Sequence, residues 1–133
     1  DAYALPAWVL HFAGRPQKGL AAMRQAIDLN PRVPGAYQMV EGALHYELGK
    51  HAEAVRLLEL AVQNNPNYQL ARVFLAAAYA ASGKVEEAAW QIDEILTLNP
   101  SFTLAAVEHA APIRDPEYRE RFLRDLQRAG LSY

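Results

Sequence analysis

The sequence predicts an all-α protein: a right-handed α-solenoid of about three helix-turn-helix repeats, closed by a C-terminal capping helix. Two observations predict it. Three segments align on a glycine followed 17 residues later by a proline (Gly14 and Pro31, Gly49 and Pro66, Gly83 and Pro100), and the glycines lie 35 and then 34 residues apart. A constant inner offset within a constant outer period marks stacked supersecondary units. The last stretch of the chain leaves that period and reads as one self-contained amphipathic helix.

The units follow in order, at approximately 1–33, 34–67 and 68–100, with a half unit at 101–111. In each, a first helix ends at the glycine, which can take a left-handed conformation, and a second helix of about four turns ends near Asn-Pro. Proline cannot continue a helix but starts the next one well. The second helices carry matching apolar positions: Gly19, Met23, Ala26 and Ile27 in unit one; Ala54, Leu58, Ala61 and Val62 in unit two; Ala88, Ile92, Ile95 and Leu96 in unit three. That spacing is helical. Among the first helices, Glu41, Gly42 and His45 answer Leu75, Ala76 and Tyr79, and the small Gly42 and Ala76 let paired helices approach closely. Pro6 falls within the first helix of unit one, which is expected to start there and to be short. Ser101 to Ala110 reads as the first helix of the half unit.

Residues 112–133 break the pattern with Pro112-Ile113-Arg114-Asp115-Pro116. Asp115 suits an N-cap and Pro116 the first helical position. The helix then runs from Glu117 to Ala129 and stops at Gly130, with Tyr118, Phe122, Leu126 and Ala129 on one apolar stripe. A solenoid needs an end cap of this kind, because its last repeat otherwise exposes an apolar face.

On these residues the chain resembles the tetratricopeptide repeat family, whose 34-residue unit has small residues at the helix contacts and a closing proline. Gly42, Tyr79, Ala54, Ala88, Ala61, Pro66 and Pro100 stand where that pattern expects them, and the resemblance covers roughly residues 1–111. Gly19 departs from the usual alanine, and Ile95 stands where Ala61 does. The tail has a narrower resemblance. Asn99-Pro100-Ser101-Phe102, Asp115-Pro116, Tyr118, Arg121-Phe122-Leu123, Leu126 and Ala129-Gly130-Leu131 are similar to the closing segment of repeat regions in bacterial adenylate/guanylate cyclase-family proteins and related transcriptional regulators. In such proteins the repeats follow a separate catalytic or DNA-binding domain. The resemblance therefore implies a regulatory or docking region of a bacterial signalling protein such as a nucleotide cyclase or, as the alternative, purely structural or self-associating repeats of a multidomain transcriptional regulator. The chain begins Asp1-Ala2-Tyr3, without methionine or the features of a signal peptide, and is expected to be a piece of a longer, cytoplasmic protein.

Composition narrows the function. Of the 133 residues, 52% are hydrophobic, which is too many for a disordered tail. The net charge of −2, with both signs interspersed, favours neither nucleic acid nor an anionic membrane. The absence of cysteine excludes disulfides and thiolate metal sites, and no apolar run is long enough to span a bilayer.

No reaction chemistry emerges, so no enzyme, cofactor or metal site is expected. Ser82-Gly83-Lys84 lacks the earlier glycine of a phosphate loop, where Ala78 stands, and Val85 replaces the magnesium-binding hydroxyl. The four histidines, His11, His45, His51 and His109, form no ligand spacing, and a site from His45, Glu47 and His51 would need a convergence that helix geometry does not favour. The acidic neighbours Glu86-Glu87 and Asp93-Glu94 point in different directions on one helix. Arg121, Arg124 and Arg128 share a face, but Glu117 and Glu120 precede Arg121 and Arg124 by four residues, as in ordinary intrahelical ion pairs.

A protein or peptide partner, or another domain of the parent protein, is the expected ligand. In the family, first helices line the concave surface. Counting from the packing positions places Trp8, His11 and Phe12 of unit one there, with Met39, Ala43 and Tyr46 of unit two. Val73, Ala77 and Ala80 of unit three follow, then Leu104 and Val107 of the half unit. This apolar strip suits an apolar peptide or amphipathic helix, unless its residues pack against one another. A subset of the family grips peptide carboxylates with polar residues in the groove. The matching rows here are Ala4, Met39 and Val73, then Trp8, Ala43 and Ala77, so the resemblance implies no such clamp. Trp90, on a second helix, is expected to face outward. The oligomeric state is open at this stage.

Overall fold

The computed structural model describes residues 15, 17–21, 34–110 and 115–133. Residues 17–21 are helical. Six further helices follow: α1 (Pro34–Glu47), α2 (His51–Asn64), α3 (Gln69–Ala81), α4 (Val85–Leu98), α5 (Leu104–Ala110) and α6 (Pro116–Arg128). No strand occurs among the described residues. The architecture is that of a helical repeat solenoid: α1 pairs with α2, α3 pairs with α4, and α2 and α1 both lie against α3.

The repeat reappears in the turns, residue for residue. α1 ends at Gly49 with φ 80°, and α3 ends at Gly83 with φ 82°. At the first turn the Lys50 amide bonds the His45 carbonyl (2.9 Å) and the Gly49 amide the Tyr46 carbonyl (3.0 Å); at the second, the Lys84 amide bonds Tyr79 (2.8 Å) and the Gly83 amide Ala80 (3.1 Å). This 6→1 and 5→2 pairing closes a helix on a left-handed residue, a conformation that costs any residue with a Cβ. The second helices also end alike. Asn65 and Asn99 are extended, at φ −146°, ψ 85° and φ −145°, ψ 82°, because each precedes a proline whose ring disfavours the helical conformation. Tyr68 and Phe102 then bond back to the Asn65 and Asn99 carbonyls, making a four-residue turn around each proline. These turns delay the next helix. α5 accordingly begins at Leu104, not at Ser101 as its sequence suggests.

The core between the helices is built from the repeated apolar positions. Ala54, Leu58, Ala61, Ala88, Ile92 and Ile95 are buried, and full burial of each large one contributes about 1.5–3 kcal/mol. Gly42 is needed for the α1–α2 approach, because a Cβ there would come within 2.6 Å of Leu58 Cγ. Buried polar groups tie neighbouring elements. Arg72 of α3 donates to the Pro66 carbonyl (2.9 Å) and to Gln91 of α4 (2.8 Å), with its guanidinium 5.9 Å from the Trp90 ring centre. Tyr79 of α3 donates to Glu59 of α2. Trp90 is 56% exposed, and its outward orientation agrees with the sequence.

The last helix forms as its sequence dictates. Asp115 Oδ1 accepts from the Glu117 amide (3.0 Å) and the Tyr118 amide (3.5 Å), with Pro116 in the first turn. Gly130, at φ 107°, stops it with the same pairing seen at Gly49 and Gly83. Its placement adds something the sequence did not show. α6 touches α5, and it also lies against α3, with contacts reaching α1.

Candidate protein-binding face

The first helices of the units carry the residues expected on the inner face. Met39, Ala43 and Tyr46 of α1, Val73, Ala77 and Ala80 of α3, and Leu104 and Val107 of α5 are all buried and belong to one apolar cluster. Trp8, His11 and Phe12 lie outside the described residues. The strip is therefore covered in this structure. One of the elements lying on it is α6.

α6 presents Tyr118, Arg121, Phe122, Asp125 and Leu126, positions that fall on one side of a helix. Phe122 stacks on Phe74 of α3, with ring centres 5.1 Å apart and planes 22° apart. It also meets Tyr46 of α1 edge-on at 6.1 Å. Tyr118 completes the group, 6.1 Å from Tyr46 and 6.2 Å from Phe122. Such aromatic pairs add about 0.5–1.5 kcal/mol beyond the area they bury.

Two polar contacts fix the direction and register of α6. The Tyr46 hydroxyl donates to Asp125 Oδ2 at 2.6 Å, with both residues buried. Arg121 Nη2 donates to the Glu47 carbonyl, at the end of α1, at 2.8 Å. The same guanidinium lies 5.8 Å from the Tyr46 ring centre and 5.5 Å from that of Tyr118. Arg121 is thus spent on α1 rather than on an ion pair with Glu117, while Arg124 and Arg128 stay exposed. Burial, followed by the hydrogen bond to Asp125, pushes the Tyr46 hydroxyl well above the usual phenol range. Burial, then the nearby Glu47 charge, does the same to Tyr118. Both rings remain neutral across the physiological range.

Sequence reasoning missed Phe74, Arg121 and Asp125 as parts of this face. Phe74 follows the expected Val73 but points in a different direction on the helix, so counting by helical period left it out. Asp125 adjoins Leu126 and follows Phe122 by three residues, an acid on the edge of an apolar stripe; that position was the available signal. Among the described residues, no group of three or more His, Asp or Glu could hold a metal ion, and no helix is long and apolar enough to cross a membrane.

Comparison with known families agrees with the geometry. One model of the tetratricopeptide repeat matches residues 7–68, and a second matches residues 45–107. Residues 7–107 are tetratricopeptide repeats. Repeats of this family generally mediate protein–protein interaction and typically act as scaffolds without catalysis. A search of curated proteins found no match.

Proposed function

We infer that this tetratricopeptide chain is a protein-docking scaffold, the regulatory or docking region of a larger bacterial signalling protein such as a nucleotide cyclase, working in the cytoplasm. In this reading residues 1–111 are the repeats and 112–133 their closing segment. The partner is a protein or peptide, or another domain of the same parent protein. It engages the inner face that Trp8, His11, Phe12, Met39, Ala43, Tyr46, Val73, Ala77, Ala80, Leu104 and Val107 build. The observation that supports the inner face is α6 itself, an amphipathic helix seated against Tyr46 and Phe74. A surface that holds one helix by aromatic packing and two directed hydrogen bonds has the chemistry to hold another. The signalling context rests on the tail's resemblance to cyclase-family repeat regions.

Capture from a bacterial lysate tests the reading, with wild type compared with the outer-face variant Trp90→Ala/Leu98→Ala. Both residues are more than half exposed, so the variant keeps the fold. One discrete protein held equally by both chains is the expected result. Loss of capture by the variant would move the site to the outer face, and no capture by either would leave the repeats a structural role.

A further inference from the structure

We propose that α6 is a displaceable internal ligand, which closes the inner face until a partner helix of the same chemistry replaces it. The proposal rests on the inner-face reading and adds both the regulation and the kind of partner. That partner is an amphipathic helix with an aromatic residue, arginine three positions on, a second aromatic at four, aspartate at seven and leucine at eight, as in Tyr118, Arg121, Phe122, Asp125 and Leu126.

Three observations carry it. First, the pairing of the repeats does not pass through α6. α1 with α2, α2 with α3 and α3 with α4 pack directly on one another, so these four stay paired when α6 leaves; only α5, which packs on α6 and whose Leu104 amide bonds the Ser132 carbonyl just beyond it, is released with it. Second, α6 is a complete unit. It has its own cap at Asp115, its own stop at Gly130 and a hydrophilic outer face of Glu117, Arg119, Glu120, Arg124, Gln127 and Arg128. A helix so built stays soluble when its apolar side is undocked. Third, the polar half of the seat is incompletely satisfied. Arg121 Nε is buried without a hydrogen-bond partner while Nη2 takes the Glu47 carbonyl, and a buried donor left unpaired weakens the contact that buried it. Because that donor sits on α6, its unmet hydrogen bond weakens the hold of α6 on its seat and leaves the facing repeats unaffected.

Tethering keeps the face closed in the absence of such a ligand. A linked helix acts at an effective concentration on the order of millimolar, so a free helix binding the open face in the micromolar range is largely excluded. Loosening the two polar contacts lowers the share of time that α6 spends docked, and so lowers that protection.

A fluorescein-labelled synthetic peptide of residues 115–131 tests this by anisotropy, titrated with the full chain as wild type and as Arg121→Ala/Asp125→Ala. The double variant should bind the peptide at least about tenfold more tightly than wild type, and a peptide carrying Asp125→Ala should bind the same variant more weakly. Equal affinity for the two chains, or no binding to a double variant that circular dichroism shows to be helical, overturns the proposal. Hydrogen exchange on the wild-type chain decides the matter even if the double variant unfolds: α6 amides should exchange faster than those of α3, and equal protection would make α6 a permanent part of the core. The two readings fail separately. Lysate capture with a fixed α6 overturns displacement and leaves the scaffold on another face; an exchanging α6 without any captured protein does the reverse.

Discussion

The stack of α1 to α4 and the seat of α6 are two kinds of interface in one small protein. Within the stack, helices meet through small and aliphatic side chains (Gly42 against Leu58, with Ala54, Ala61, Ala76 and Ala88 buried), and the turns recur with nearly the same dihedral angles. The seat of α6 is aromatic and occurs once. Its hydrogen bonds join residues 74 and 79 positions apart in the chain. The stack spreads its stabilisation over repeated, short-range contacts, as solenoids do. The seat concentrates it in Tyr46, Phe74, Phe122 and two polar links. A single truncation should therefore damage the seat more than the stack, and a single overpacking the stack more than the seat.

The largest expected effect comes from Phe122→Ala. It removes a ring that is 1% exposed and leaves a cavity between α1 and α3, which costs about 3–5 kcal/mol in denaturant unfolding. A loss below about 1 kcal/mol would put α6 at the periphery and erase the contrast. Next is Gly42→Ala, which sets a methyl group 2.6 Å from Leu58 Cγ and 3.4 Å from the Ala54 carbonyl. The α1–α2 pair must spread or Leu58 must change rotamer, at about 1–3 kcal/mol. An unchanged midpoint would mean that the stack is more compliant than its close approach implies.

The smallest effect is alkaline. The folded-state pKa of Tyr46 is raised by burial and by Asp125, so the stability it contributes is full below the unfolded value of about 10 and falls as pH rises past it. Ionised Tyr46 would face the Asp125 carboxylate, with Arg121 and His51 also beside its ring. Between pH 9 and about 10.5, wild type should lose more stability than Tyr46→Phe, by less than about 1 kcal/mol. Parallel pH profiles in urea unfolding would remove Tyr46 from the account; Tyr118, raised in the same direction, contributes a similar decline to both chains.

Much of the architecture was legible because its causes are local. Gly49 and Gly83 end their helices because a left-handed residue is needed there. Pro66 and Pro100 force extended asparagines before them, and Asp115 caps the amides that follow it. Each of these depends on residues within one or two turns of the chain. The burial of Met39, Ala43 and Tyr46, and again of Val73, Ala77 and Ala80, was legible for the same reason, since helical periodicity alone groups them.

What covers that face was not. An apolar stripe records that a helix side will be buried, but the hydrophobic effect has no direction and does not name the surface that buries it. The stripe of Tyr118, Phe122 and Leu126 would close an exposed repeat end as readily as it lies against Tyr46 and Phe74. Charge spacing within α6 likewise offered Glu117 to Arg121, while the tertiary structure offered the Glu47 carbonyl inside a partly dry, aromatic setting where a hydrogen bond to a charged group is stronger. The sequence by itself determined the repeats, their turns and the start and stop of the last helix. Only the tertiary structure decided that this helix lies against Tyr46 and Phe74, because that choice rests on contacts between residues 74 and 79 positions apart, which no local periodicity encodes.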